Sequence, residues 1–318
     1  MGKFIKTAAK EIGKTAGLPA PKKKRMNKKR LYDTVCGWIF LSPALLGFVA
    51  FTLLPLVLSF YYSFTEYNML STPIFIGFRN YTNMFKLASF NTAVKNTMLF
   101  ATVVVAMNIV LSFAVAYLLN IKLKGMPVFR TIFYLPCIIP GVAGAFTYSN
   151  LFDASTGYIN QVLKWFGLQP SPFLTDPKTA VFTIIIMGLW GMGGPMLIWL
   201  AGFKSVPNSL YEASKLDGAR WWQDLFHITI PLCTPMIFYN MVTGVIGGLQ
   251  TFGSVYLLTN GGPQDSTVTL VMLIYNRGIG YHQMGIASAI AWFLFAITMA
   301  LTLVLFATKK WVYTEDGR

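Results

Sequence analysis

Hydrophobic residues in this chain fall in long unbroken blocks rather than at the spacing of a surface helix or a half-buried strand. Six blocks lie near residues 37–61, 96–119, 130–151, 180–203, 229–250 and 283–307, and none has Asp, Glu, Lys or Arg in its core, Arg130 standing at one edge. About twenty helical residues cross a hydrocarbon layer of ~30 Å. The strict alternation of a membrane β-barrel strand is absent, and in lipid only helices and closed barrels pair every backbone polar group. The pattern predicts an all-α, polytopic membrane protein with six transmembrane helices.

Prolines and glycines punctuate these blocks. The third contains Pro136 and Pro140, the fourth the run GMGGP at 191–195, and the fifth Pro231 and Pro235 near its start, then Gly244, Gly247 and Gly248. Breaks of this kind free backbone groups that neighbouring helices, polar side chains or a wet cavity must satisfy. Gly244 and Gly248 form a GxxxG, which puts two small residues on one helix face and lets another helix approach. Each site alone is equally explained by kinking and packing; glycine-rich breaks in two blocks together point to a pathway near the midplane.

Composition agrees with a membrane protein: of 318 residues, 55% are hydrophobic and only 12% charged, against about 25% charged in soluble domains. The formal net charge of +15 raises the question of nucleic acid, but eleven of the 26 Lys and Arg lie in the first 36 residues and the others flank apolar blocks. That distribution reads as membrane orientation and anionic lipid, with no nucleic-acid partner. With the N-terminus inside, twenty basic residues fall on the inner side and six on the outer. Both termini are then expected in the cytoplasm of a bacterium, the chain lying multi-pass in its inner membrane, with residues 1–36 a solvated basic arm, not a signal peptide. Cys36, Cys137 and Cys233 are isolated, and His227 and His282 lack a partner at ligand spacing, so no metal site is expected. The carboxylates Glu66, Asp153, Asp176 and Asp265 are scattered over outer loops in no catalytic arrangement, which argues against a membrane enzyme.

A polar stretch at 210–232, LYEASKLDGARWWQDLFHITIPL, interrupts the second half and falls on the inner side. Ala213, Leu216, Trp221, Trp222, Leu225 and Phe226 recur at roughly helical spacing, Gly218 stands between the two halves, and the aromatic pair suits a membrane interface. Two short helices lying on the cytoplasmic surface are predicted. The stretch resembles the EAA motif of binding-protein-dependent ABC importer permeases: Glu212-Ala213-Ser214, three residues, Gly218, nine residues, then Ile228-Thr229-Ile230-Pro231. Ser214 replaces the second alanine of that motif and Ile230 its leucine. TNGGP at 259–263, MGIASAIAWFLF at 284–295 and FLSPALLGFVAFTLLPLVLSFYYSF at 40–64 are similar to sugar-type permeases of the maltose, glycerol-phosphate and multiple-sugar group.

That resemblance implies a type I ABC importer permease fold, with the first helix and its outer loop at 37–94, the permease module at 95–306 and a cytoplasmic tail at 307–318. It implies that Glu212, Ala213, Ser214, Asp217 and Gly218, in a coupling helix near 210–227, meet a separate ATPase. It places a substrate pathway at Gly193, Gly194 and Met196 on the fourth span and Gly248, Gln250, Thr251 and Phe252 on the fifth. The implied partners are a second permease subunit in a heterodimer, two ABC ATPase subunits, an extracytoplasmic solute-binding protein and a sugar substrate. This chain has no GxxxxGK[ST] phosphate loop, so it binds no cofactor of its own and ATP and Mg belong to the ATPase. An ion-coupled secondary transporter, for which the spans offer no ionisable relay, and a non-transporting assembly protein are the alternatives.

Overall fold

The computed structural model describes residues 28–121 and 123–313, with side chains from residue 32. Most of the basic arm expected at 1–36, together with Lys122 and the end of the C-terminal tail, lies outside the described residues. Contacts divide the chain into one unit ending at Leu58 and a second beginning at Ser59. The described part of the first is a single helix with large apolar side chains directed outward on every side: Phe40 is 85% exposed and Phe51 84%. A helix hydrophobic all round is suited to lipid.

Among the described residues four helices are long and apolar enough to cross a membrane unbroken: Tyr32–Ser63, Ala88–Leu119, Pro177–Ser205 and Met284–Ala307. The two remaining spans are not single rods, which corrects the expected helices at 130–151 and 229–250. Met126–Ile138 and Gly141–Leu151 meet at 100°, and Trp221–Leu232 and Thr234–Leu249 at 63°. The cause is local. Pro140 adopts φ −56°, ψ 134° as the cap of the second piece, and a proline also disfavours helical backbone in the residue before it. The fifth span turns at Cys233, between Pro231 and Pro235. Before Pro231 the helix widens to a π turn over Leu225–Thr229, and Ile230 N–H reaches five residues back to Leu225 O. The same device precedes Pro55, where Leu54 N–H reaches Val49 O across a π turn at Val49–Leu53. A proline lacks the N–H and crowds the preceding turn, and one extra residue in that turn absorbs the ring without ending the helix. GMGGP produces no break: Trp190–Met192 tightens to a 3-10 turn and the fourth span continues to Ser205.

In the second unit two apolar clusters hold the helices together. One gathers Phe90 and Phe100, Ile184, Leu249, Val255, Leu270, Met272 and Ile290 from spans two, four, five and six and the segment after span five. The other packs Trp199, Met196 and Phe203 against Ala116, Leu119 and Cys233, and the buried Trp199 Nε1–H donates to Ser112 Oγ at 3.0 Å. Loops are fastened by buried asparagines. Asn80 Nδ2 donates to Ser63 O and Thr65 O, Asn96 Nδ2 to Ser266 O and Val268 O, and Asn160 Nδ2 to Ala154 O and Ser171 O. The turn that leads into the Asn160 helix, Tyr158–Trp165, begins at Asp153. The Thr156 N–H and the Ser155 hydroxyl, with the Ser155 N–H, hold the Asp153 carboxyl well below the usual carboxylate range.

Candidate functional site

The 210–232 stretch folds as two helices. Asn208–Leu216 ends in a Schellman motif: Gly218, at φ +76°, donates its N–H to Lys215 O at 3.2 Å and Ala219 donates to Ser214 O at 3.0 Å. The left-handed backbone at 218 is the reason for a glycine there. The second helix starts at Trp221, where Gln223 Oε1 accepts from the Arg220 N–H at 2.7 Å. Tyr211 and Ser214, one turn apart, face the protein. The Ser214 hydroxyl donates to Asp224 Oδ1 at 2.5 Å, linking the two helices, and Tyr211 Oη and Thr229 Oγ1 share a hydrogen bond of 2.9 Å. Burial raises the Tyr211 hydroxyl pKa, with the Thr229 bond acting the other way. Glu212, Ala213, Asp217 and Gly218 are exposed, and Leu216 projects with 90% of its surface free. The outward face is thus a small apolar knob edged by two acidic residues, and Ser214 belongs to its support.

A cavity of about 340 Å³ lies among spans two, four and five. Its floor is set by glycines. A Cβ at Gly248 would stand 2.7 Å from Ala101 Cα, and one at Gly244 2.9 Å from Val105 Cγ1. Ala101 and Phe100 lie in a π turn, Phe100–Val104, whose widened backbone borders the cavity. Of the residues expected on a pathway, Gly248 and Thr251 line this cavity. Thr251 Oγ1 donates to Gly248 O at 2.9 Å. Gln250 is exposed and off the wall. Phe252 stacks on Tyr256 at 5.3 Å between ring centroids. Gly193 is a contact point: a Cβ there would lie 2.6 Å from Phe133 O of span three. Gly194 is half-buried, and Met196 is wholly buried in the second apolar cluster. A second hollow of about 450 Å³, mostly apolar, lies at the bend of span three against Tyr148, Trp190 and Leu257, and shares Ser254 with the first.

Sequence reasoning passed over the polar wall of the first cavity: Asn108, Asn240, Thr243 and Ser254. The signal was present, because an asparagine inside an apolar span is costly unless paired or functional. Asn108 Nδ2 donates to Gly188 O at 3.4 Å while its Oδ1 has no partner, and Asn240 has a partner at neither Nδ2 nor Oδ1. Each buried polar group left so costs about 1–3 kcal/mol. Among the described residues no charged one lines the wall.

A multi-span helical protein with an uncharged, partly polar cavity among its spans and an exposed helical knob is built as a membrane permease. Residues 108–314 match the family described as "Binding-protein-dependent transport system inner membrane component". The chain belongs to that family: it is an inner-membrane transport component and not an enzyme. It is 37% identical over 94% of its length, and 98% of the relative's, to a probable ABC transporter permease protein, YesP, of Bacillus subtilis. It is 36% identical to the lactose transport system permease protein LacF of Rhizobium radiobacter over 79% of this chain and 86% of that one. It is 30% identical to the trehalose/maltose transport system permease protein MalF of Thermococcus litoralis over 87% and 95%. The fold matches a chain in the crystal structure of a bacterial alginate ABC transporter complexed with a periplasmic protein carrying an alginate pentasaccharide, with TM-score 0.78, 24% identity and coverage of 90% and 98%.

Proposed function

We propose that this chain is one permease subunit of an ATP-driven importer that carries a sugar or oligosaccharide into the cytoplasm. The observation that carries the reading is the exposed knob of Glu212, Ala213 and Leu216 on a rigid two-helix support. An apolar side chain 90% free at the tip of a hydrogen-bonded helix pair fits insertion into a cleft on another protein. The cleft belongs to an ABC ATPase, with Glu212 meeting a basic residue at its rim and Gly218 setting the angle of the turn. Two ATPase subunits carrying ATP and Mg, a second permease that completes a heterodimer, and an extracytoplasmic solute-binding protein form the rest of the machine. Both termini face the cytoplasm, in keeping with the basic-residue count, and residues 95–306 form the shared module. Closure of the ATPases on ATP moves the knob, and the spans rock between outward- and inward-open states.

Solute crosses beside Gly248 and Thr251. Relatives named for lactose and for trehalose and maltose support a sugar. The uncharged wall of hydroxyl and amide groups supports a neutral one, and it offers an ion-coupled mechanism no titratable relay. Proteoliposomes holding the complete complex with ATP inside are expected to accumulate 14C-labelled trehalose, maltose or lactose. Accumulation driven by a proton gradient without ATP would overturn the mechanism. Glu212→Ala is expected to abolish coupling with normal membrane insertion; wild-type transport and ATPase association in that variant would remove the knob from the mechanism.

A further inference from the structure

Among the described residues four asparagines are buried: Asn80, Asn96, Asn160 and Asn240. The first three each bind two or more backbone carbonyls and fasten a loop. Asn240 breaks this rule. It is 4% exposed, lies on the wall of the 340 Å³ cavity, and neither amide atom has a partner. Asn108, on the same wall, leaves Oδ1 unpaired. Leucine at 240 would fill the position with apolar surface and leave nothing unsatisfied, and at 108 it would give up only the long 3.4 Å bond to Gly188 O, so amides there call for a polar ligand.

The helix register gives the depth. Spans two and five run antiparallel and touch in four-residue steps, Gly248 on Ala101 and Gly244 on Val105. The next step brings Asn240 to the level of Asn108 and Ile109. That level lies two helical turns, about 12 Å, from Gly248 toward the 210–232 knob. We infer that Asn108 and Asn240 form a second, inner solute station, in which the two carboxamides bind the hydroxyl groups of a sugar after it has left Gly248 and Thr251. Each carboxamide offers donors and an acceptor, which suits a hydroxyl that must give one hydrogen bond and receive another. Neither amide titrates, so affinity is set by geometry alone. The inference rests on the cavity being the solute path.

The test uses the complete transporter in ATP-loaded proteoliposomes with 14C-labelled trehalose, maltose and lactose as probes, and Asn240→Leu and Asn108→Leu as variants. Losing one neutral hydrogen bond to solute raises KM about 2- to 13-fold. That rise is expected in each variant for the sugar the wild type carries. The thermal midpoint of the detergent-purified complex is expected to hold or rise, because an unsatisfied amide has been removed. Asn96→Leu is the structural comparator: its midpoint falls, since two carbonyls of the 266–268 segment lose their donor. Wild-type KM in both cavity variants overturns the inner station; if Thr251→Val still alters KM, the path itself survives. A raised KM with a midpoint lowered as in Asn96→Leu assigns the asparagines to packing and also overturns it. A wild-type complex that carries none of the three sugars defeats the sugar reading, and this inference with it.

Discussion

Gly248→Ala should be the most damaging single-methyl change in the fifth span. The added Cβ would meet Ala101 Cα at 2.7 Å, Ala101 N at 3.3 Å and Phe100 O at 3.4 Å, all backbone atoms. No rotamer change relieves such a contact; spans two and five must separate. Overpacking a tight core costs about 1–3 kcal/mol, and a backbone clash belongs at the upper end. Alanine returns up to about 1 kcal/mol through helix propensity, leaving a net loss of about 2 kcal/mol. The neighbouring Gly247 supplies the control, because a Cβ there meets nothing within 4 Å; Gly247→Ala should gain up to about 1 kcal/mol. The two variants should therefore differ by about 3 kcal/mol. Gly244→Ala should fall between, because its clash is with the end of the Val105 side chain. Thermal melts of the detergent-purified complex, or unfolding in graded denaturant, would read the order. Equal midpoints for the 247 and 248 variants would refute the claim that the spans are in backbone contact at Ala101.

Other expectations follow from the same geometry. Ser214→Ala removes the link between the two knob helices and should loosen them by about 1 kcal/mol, read as faster amide exchange over 208–229 with membrane insertion unchanged. Gly218→Ala forces a Cβ into left-handed backbone at φ +76° and should cost about 1–2 kcal/mol; a melt equal to wild type would count against the Schellman turn. Asn160→Ala frees carbonyls of the 153–171 loop and should raise its protease sensitivity before the spans respond. Asp153 has a folded pKa below its unfolded value, so its contribution to that loop is complete above about pH 4 and declines as pH falls further. Protection factors at Ser155 and Thr156, compared with Asp153→Asn, would show the decline in the wild type alone.

The number and helical nature of the spans were legible because lipid imposes a crude filter: twenty apolar residues in a row have few other uses. The knob was legible because its polarity interrupts that filter and Gly218 marks the turn. The breaks were seen as prolines but not as angles. Pro136 and Pro140 announce trouble in the third span, whereas 100° depends on which of them starts a new helix. GMGGP misled in the other direction: its glycines admit span three, as at Gly193 against Phe133 O, and the helix runs on. The cavity wall stayed hidden because attention to charged residues overlooks amides, and because two asparagines 132 positions apart reach one cavity wall only through the antiparallel register.

The fastening at Asn96 and Thr97 bears on biosynthesis. Asn96 gives its amide to Ser266 O and Val268 O, and Thr97 Oγ1 receives the Leu270 N–H at 2.9 Å. These partners are separated by more than 160 residues, so the second span leaves the ribosome long before its ligands exist. Until synthesis passes residue 270, two polar side chains near the start of a newly inserted helix must find water or other partners in place of that segment. The packing around the second span can therefore close fully only once the 266–270 segment has been made.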